Sequence, residues 1–280
     1  MMGEGQRAYV HGYDDREADR LRDQAGTLAD LLHHDTGYPE GSAVLEVGCG
    51  VGAQTVELTR RSPRAHFTAI DVSADSVGAA RAAVERAGMR NVGFRRADLF
   101  SLPAGWTFDH VFVCFVLEHL ERPVEALEAL RGLLRPGGTI TVIEGDHGSA
   151  TMHPAGAAAC DAIDALVRLQ RAAGGDALIG RRLYPLLVEA GFAEVAVSPR
   201  MVYVDASRPQ LVDGFTRRTF TAMVEGARDG ALAAGLIEPE RFDAGIRDLH
   251  RTTEPDGVFT YTFFKATARS AAGQEAGAPV

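Results

Sequence analysis

The stretch "AVLEVGCGVG", residues 43–52, decides the fold. It holds an apolar run, Val44, Leu45 and Val47, around one acid, Glu46, and then glycine at the alternate positions 48, 50 and 52. An apolar run closed by glycines reads as a buried strand entering a tight turn. The next residues, "GAQTVELTRR" (52–61), read as a helix with Val56 and Leu58 as apolar positions. Strand, glycine turn and helix in that order let backbone approach a ligand closely, with a helix N-terminus behind it.

The same alternation continues outward from this unit. "HFTAIDV" (66–72) is a second strand, and "SADSVGAARAAVERAG" (73–88) a helix with Ser73 as N-cap and Gly88 as its stop. "NVGFRRADL" (91–99) is a third strand. "FDHVFVCFVLEHL" (108–120) is a fourth, whose unbroken apolar middle predicts burial on both faces. "PVEALEALRGLL" (123–134) is a helix with proline in its first turn, ended by "RPGG", and "TITVIEGD" (139–146) is a fifth strand. Strands alternating with helices predict an α/β fold, a parallel sheet with helices on both faces. Ligands of such sheets sit beyond the carboxyl ends of the strands. That rule sets "EVGCGVG", Asp71, Asp98, "FVLEHL" and "EGDHG" along one edge, facing one crevice.

Beyond residue 147 the rhythm changes. "PAGAAACDAIDALVRLQRAAG" (154–174) and "IGRRLYPLLVEAGF" (179–192) read as helices, and "AEVAVSPRMVYVD" (193–205) as a strand interrupted by Pro199. Residues 208–250 read as helical in two or three pieces, and "GVFTYTFFKATAR" (257–269) as a final alternating strand. The predicted organisation is a helical lid over 1–40 and a main domain over 41–268. Segments 148–178 and 206–252 are helical caps covering the crevice, and 269–280 is a disordered tail.

The bulk composition narrows the function. The chain has 280 residues, 46% hydrophobic and 24% charged, which suits one large globular domain. A net charge of -9 argues against nucleic acid as a partner. No apolar run approaches membrane-spanning length, so no membrane partner is expected. Cys49, Cys114 and Cys160 lack metal-finger spacing and read as buried small apolar side chains in a reduced, cytoplasmic setting. Lys265 is the single lysine.

Two ligands compete for the glycine turn. Gly48, Gly50 and Ala53 satisfy the dinucleotide pattern G-x-G-x-x-G/A, with Asp71 near the ribose position, so an NAD(P)-dependent oxidoreductase stays open as an alternative. Against it stands Glu46: a carboxylate there would repel a pyrophosphate and welcome an ammonium. S-adenosylmethionine carries an ammonium, a sulfonium, a ribose and an adenine, and no phosphate, which suits an edge that also bears Asp98.

The set E-x-G-x-G-x-G at 46–52, Asp71, Ala97-Asp98-Leu99, "FVLEHL" at 115–120 and "LLRPGG" at 133–138 resembles the class I S-adenosylmethionine-dependent methyltransferases of small-molecule type. The resemblance implies a Rossmann-like, seven-stranded, mostly parallel sheet with an antiparallel last strand. It implies that Glu46 and Gly48, Gly50 and Gly52 hold the methionine part. Asp71 takes the ribose hydroxyls, Val72 and Leu99 flank the adenine, Asp98 meets the adenine amine, and the Phe115 backbone accepts from the ammonium. S-adenosylhomocysteine would be the product. The leader "YVHGYDDREADRLRDQAGTL" (9–28) is similar to that of family members in which a helix closes over the cofactor; Tyr9, Tyr13, Arg20 and Gln24 are its contact candidates, against an ordinary solvated helix with Leu21, Ala25 and Leu28 inward.

A sulfonium methyl needs an aligned nucleophile and exclusion of water, and a base only where the nucleophile must lose a proton. Candidate bases are Glu144 and His147 past the fifth strand, His119 in "LEHL" (which could equally cap the next helix), and Tyr13 and His11 of the leader. No metal cluster is suggested. The aromatic residues Tyr184, Tyr203, Phe215, Phe220, Phe242, Phe259, Tyr261, Phe263 and Phe264 would suit a flat acceptor, although such stripes are more often core. Arg217 and Arg218 could anchor an acid or simply face solvent. Leader and cap together resemble bacterial indole C3-methyltransferases that make pyrroloindolines; N- or O-methylation of another small molecule fits the same residues. The aromatic cap could also serve as a homodimer surface.

Overall fold

The computed structural model describes residues 26–270. Tyr9, His11, Tyr13, Arg20 and Gln24 lie outside the described residues. Two compact units divide the described chain. The sheet unit comprises 29–145, 179–200 and 263–270; the second unit comprises 26–28, 146–178 and 201–262.

The strands are β1 (Ala43–Val47), β2 (His66–Asp71), β3 (Val92–Arg96), β4 (Phe108–Cys114), β5 (Leu134–His153), β6 (Phe192–Val204) and β7 (Val258–Ser270). They form one 7-stranded sheet in the order β3-β2-β1-β4-β5-β7-β6. β1 pairs in parallel with β2 and β4, β2 with β3, and β4 with β5. The last strands are antiparallel. Thr151 Oγ1 meets Thr260 Oγ1 at 2.6 Å and the Thr262 N–H donates to Ser149 Oγ at 2.8 Å, so forward along β5 is backward along β7.

The helices are α1 (26–33), α2 (Ala53–Arg61), α3 (Ala74–Arg86), α4 (Pro123–Arg131), α5 (Ala157–Ala172), α6 (Leu183–Glu189), α7 (Pro209–Leu211), α8 (Ala222–Gly226), α9 (Arg228–Ala233) and α10 (Pro239–Arg251). The cap chemistry read from the sequence holds: Ser73 Oγ accepts from the Ser76 N–H, and Gly88 stops α3 at φ +72°.

Within the sheet unit, Leu45, Ile70, Val111, Val113, Ile140 and Val142 pack with Leu127 and Leu130 of α4 and Leu183 and Leu187 of α6. Ala69, the neighbour of Ile70, points to the other face, where it packs with Ala80 of α3 and Cys49. Helices therefore cover both faces. Lys265 on β7 is 4% exposed, and its ammonium donates to Asp35 Oδ1 and Thr36 Oγ1, each at 2.6 Å. Burial draws its affinity for the proton down, while Asp35 restores part of it.

Five expectations change. β4 ends at Cys114, and 115–120, read as its continuation, is a turn holding the short helix Leu117–His119, because Phe115 takes a left-handed φ. β5 runs from Leu134 through His153, so 148–153, read as the start of a helical cap, is strand; its Ser149 and Thr151 hydroxyls bond β7. Pro199 does not interrupt β6, because β6 is the sheet's edge and one missing N–H there breaks no ladder. Arg269 and Ser270, read as the start of the tail, continue β7. Cys160 is exposed, whereas Cys49 and Cys114 are buried as expected.

In the second unit, α5 packs on α10 through small residues: a Cβ on Gly245 would lie 2.5 Å from the Ala158 carbonyl oxygen. Val212–Thr221 is a π-helix, a form rare at this length and associated with functional segments. Its widened turn is held in part by Thr219 Oγ1 donating to the Gly214 carbonyl at 2.7 Å.

Candidate active site

The sheet unit gathers Glu46, Gly48, Gly50, Gly52, Asp71, Val72, Asp98, Leu99 and Phe115 at the carboxyl ends of β1, β2, β3 and β4; Arg20 and Gln24 lie outside the described residues. Gly48, Gly50 and Gly52 adopt φ of +70°, +50° and +81°, the left-handed region that disfavours side chains. Space adds to the constraint at two of them. A Cβ on Gly48 would meet Val116 Cγ2 at 2.4 Å, and one on Gly52 would meet the Ala80 Cα at 2.7 Å. At Gly50 a Cβ meets nothing within 4 Å, so this glycine faces open space. The Gly48 and Cys49 N–H groups both donate to the Ile70 carbonyl, at 2.8 and 2.9 Å, tying the turn to β2.

Asp71 ends β2. Its Oδ2 accepts from the Gly50 N–H at 3.0 Å and its Oδ1 from the Ser73 N–H at 2.9 Å. Each oxygen keeps a further lone pair for a hydroxyl donor. Val72 beside it is 54% exposed, an apolar side chain presented to solvent at the ligand edge. Asp98 is exposed, and its Oδ1 accepts from the Phe100 N–H at 3.0 Å to start the short turn that buries Leu99.

Glu46 is 2% exposed, and its Oε2 has no hydrogen-bond partner among the described residues. Burial pushes its carboxyl from the ordinary 4.5 up to about 8, with the charge of Asp71 adding to the rise. Thr55 in the first turn of α2 is fully buried; its hydroxyl lies near enough to the Glu46 carboxyl to ease that rise, though the two do not meet in full hydrogen-bond geometry. A buried acid and hydroxyl behind a glycine turn suit a cation with hydrogen-bond donors and penalise a phosphate.

Phe115 follows β4 with φ +58°, uncommon for a residue with a side chain, and its ring lies 5.5 Å from that of Phe263. Glu144 on β5 is fully buried, with Oε1 accepting from the Val116 and Leu117 N–H groups at 3.0 and 2.7 Å. Burial, reinforced by the charge of Glu118, holds its carboxyl well above the carboxylate range. His119 sits in the short helical turn Leu117–His119, its Nε2 3.6 Å from Glu118 Oε1.

The second unit holds His147, which is 5% exposed and whose Nδ1 lies 2.7 Å from Tyr261 Oη. Around this pair Phe215, Phe220 and Phe259 are buried; Phe220 lies 4.8 Å from Phe259 and 5.4 Å from Tyr261 between ring centres. Arg217 pairs with Asp213 at 2.9 Å and faces solvent, the plainer of its two readings. Among the described residues no group of three or more His, Cys, Asp or Glu is placed to hold a metal, and no helix is long and apolar enough to cross a membrane. The sequence singled out His147 and Tyr261 separately and missed their hydrogen bond, because 114 residues separate them. It missed Thr55 because a lone threonine in a helix carries no signal.

Residues 44–138 match the family model described as a methyltransferase domain, which spans the glycine turn, Asp71 and the Phe115–His119 segment. Methyltransferase GfsG of Streptomyces halstedii is 28% identical over 138 residues, covering 48% of this chain and 49% of that protein. Among solved structures, the [4+2]-cyclase SpnF superposes with a TM-score of 0.53 at 22% identity, covering 91% of this chain and 82% of that one. Phosphoethanolamine N-methyltransferase 2 of Haemonchus contortus, solved with S-adenosyl-L-methionine, superposes with a TM-score of 0.55 at 14% identity, covering 89% of this chain and 52% of that one. These likenesses show the fold. The chain spans about half the length of the curated relatives it matches.

Proposed function

We propose that the protein is an S-adenosylmethionine-dependent methyltransferase acting on a small aromatic metabolite. The observation that carries the cofactor reading is the buried Glu46 Oε2, unpartnered among the described residues, behind the open, left-handed turn at Gly50. Glu46 and Gly48–Gly52 would hold the methionine part, Asp71 the ribose, and Val72, Asp98 and Leu99 the adenine, with the Phe115 carbonyl accepting from the ammonium. When bound, the cofactor supplies an electrophilic methyl on a sulfonium. The unpartnered buried acid also weighs against NAD(P), whose pyrophosphate it would repel.

The aromatic acceptor rests on the resemblance to indole C3-methyltransferases; Phe215, Phe220, Phe259 and Tyr261 are themselves buried against one another, with His147 among them. The finer reading is methyl transfer to C3 of an indole, where the ring N–H must lose its proton as the pyrroloindoline closes; the His147–Tyr261 pair suits that step. An N- or O-methyl product would use the same residues.

Calorimetry with S-adenosylhomocysteine and with NAD tests the cofactor. Reaction of labelled S-adenosylmethionine with an N-acylated tryptamine, followed by mass and ultraviolet absorbance, tests the acceptor. One added methyl with an indoline spectrum supports C3 attack, and one with an unchanged indole spectrum points to nitrogen or oxygen. Because a cyclase shares the fold, binding of S-adenosylhomocysteine without any methyl transfer across acceptors would overturn the transferase reading.

A further inference from the structure

Glu144 is fully buried near the end of the β5 portion in the sheet unit, yet neither of its carboxyl oxygens is turned to solvent. Oε1 collects two backbone donors from a single turn, the N–H groups of Val116 and Leu117. That turn begins with Phe115 in the left-handed region, where a non-glycine residue persists only if its surroundings hold it. The Phe115 N–H is fixed to the Ile143 carbonyl at 2.9 Å, one residue before Glu144, so backbone and side chain of β5 grip the same turn. Val116, held between them, is the residue whose Cγ2 fills the space a Gly48 side chain would need. The carboxyl thus reaches the glycine turn through Val116.

We propose that Glu144 is a positioning residue: its Oε1 holds the Phe115–Leu117 turn in its left-handed form, which seats Val116 on Gly48 and fixes the methionine end of the cofactor site. This rests on the cofactor reading above. It removes Glu144 from the candidate bases: Oε1 serves the two amides, and Oε2, buried and unpartnered among the described residues, is left to carry the proton of the neutral acid and so has none to take up. A neutral acid fits the place, because burial disfavours the charged form and backbone donors need only a carbonyl oxygen. Glutamine offers that same oxygen in the same shape, and leucine fills the volume without it.

The test compares Glu144→Gln and Glu144→Leu by amide hydrogen exchange at residues 116 and 117 and by calorimetry with S-adenosylhomocysteine. Glu144→Leu should speed exchange at both amides at least tenfold and weaken S-adenosylhomocysteine at least tenfold. Glu144→Gln should restore both to within about threefold of the parent chain. If the leucine variant does not fold, the glutamine variant decides alone. Loss of methyl transfer by a hundredfold or more in Glu144→Gln, with S-adenosylhomocysteine binding and exchange retained, would make Glu144 the proton acceptor and overturn the proposal. Unaltered exchange in Glu144→Leu would overturn it too. Exchange that follows Glu144 in a parent chain that does not bind S-adenosylhomocysteine would instead overturn the cofactor reading.

Discussion

Replacing Glu46 with glutamine should stabilise the cofactor-free protein, and the gain should depend on pH. In the fold the Glu46 carboxyl keeps its proton up to about pH 8, whereas an exposed chain releases it near 4.5. Between those values the folded state binds more protons than the unfolded one, so stability falls as pH rises. The loss begins above 4.5 and is complete above 8. At about 1.4 kcal/mol per pH unit, it amounts to roughly 5 kcal/mol. Glutamine cannot ionise and escapes it. Denaturant melts of parent and variant from pH 4.5 to 8.5 should therefore coincide at the acid end and separate steadily, the variant ending several kcal/mol more stable. The same variant should bind S-adenosylhomocysteine more weakly. In the parent chain that affinity should strengthen by up to about tenfold per pH unit below 8, as the carboxylate that meets the ammonium forms; in the variant this dependence should vanish. Parallel stability curves for the two proteins would refute the reasoning, because Glu46 would then ionise in the fold at no cost.

Asp71→Ala should weaken S-adenosylhomocysteine by about a hundredfold in calorimetry, since two hydrogen bonds to a charged group at roughly 1.5 kcal/mol each are removed; unchanged affinity would count against the cofactor map. Gly52→Ala should lose several kcal/mol in denaturation, because its Cβ would lie 2.7 Å from backbone at φ +81°. Gly50→Ala, strained by φ +50° but with open space, should lose only about 1–2 kcal/mol and should instead fail to bind S-adenosylhomocysteine. A thiol reagent should label Cys160 rapidly in the native protein. Cys49 and Cys114, buried and with thiols pushed up by that burial, should react only after unfolding; mass spectrometry of labelled peptides reads the order.

The parts legible in the sequence are those written in local chemistry. The glycine turn, the Ser73 cap, the proline at the start of α4 and the unbroken apolar run of β4 each act within a few residues, and each lies where its pattern placed it. What escaped depends on distant partners. β5 could not be followed past Asp146 because "HGSATMH" alternates small and polar residues, and only the facing hydroxyls of β7 make it strand. Pro199 looked like a break because its tolerance depends on β6 being an edge. Val212–Thr221 carries ordinary helical periodicity, and nothing in that pattern distinguishes a π-helix from an α-helix. Glu144 looked like a free acid because its partners are backbone amides, which no sequence displays.

The burial of Lys265 has a practical consequence. With one lysine in the chain, and that one on β7 tied to Asp35 and Thr36, a lysine-specific protease has a single cut to make, and the folded molecule withholds it. Cleavage after residue 265 then becomes a clock for the opening of one strand. The rate at which two fragments appear, with and without S-adenosylhomocysteine, would read how firmly ligand at the glycine turn locks β7 between its neighbours β5 and β6.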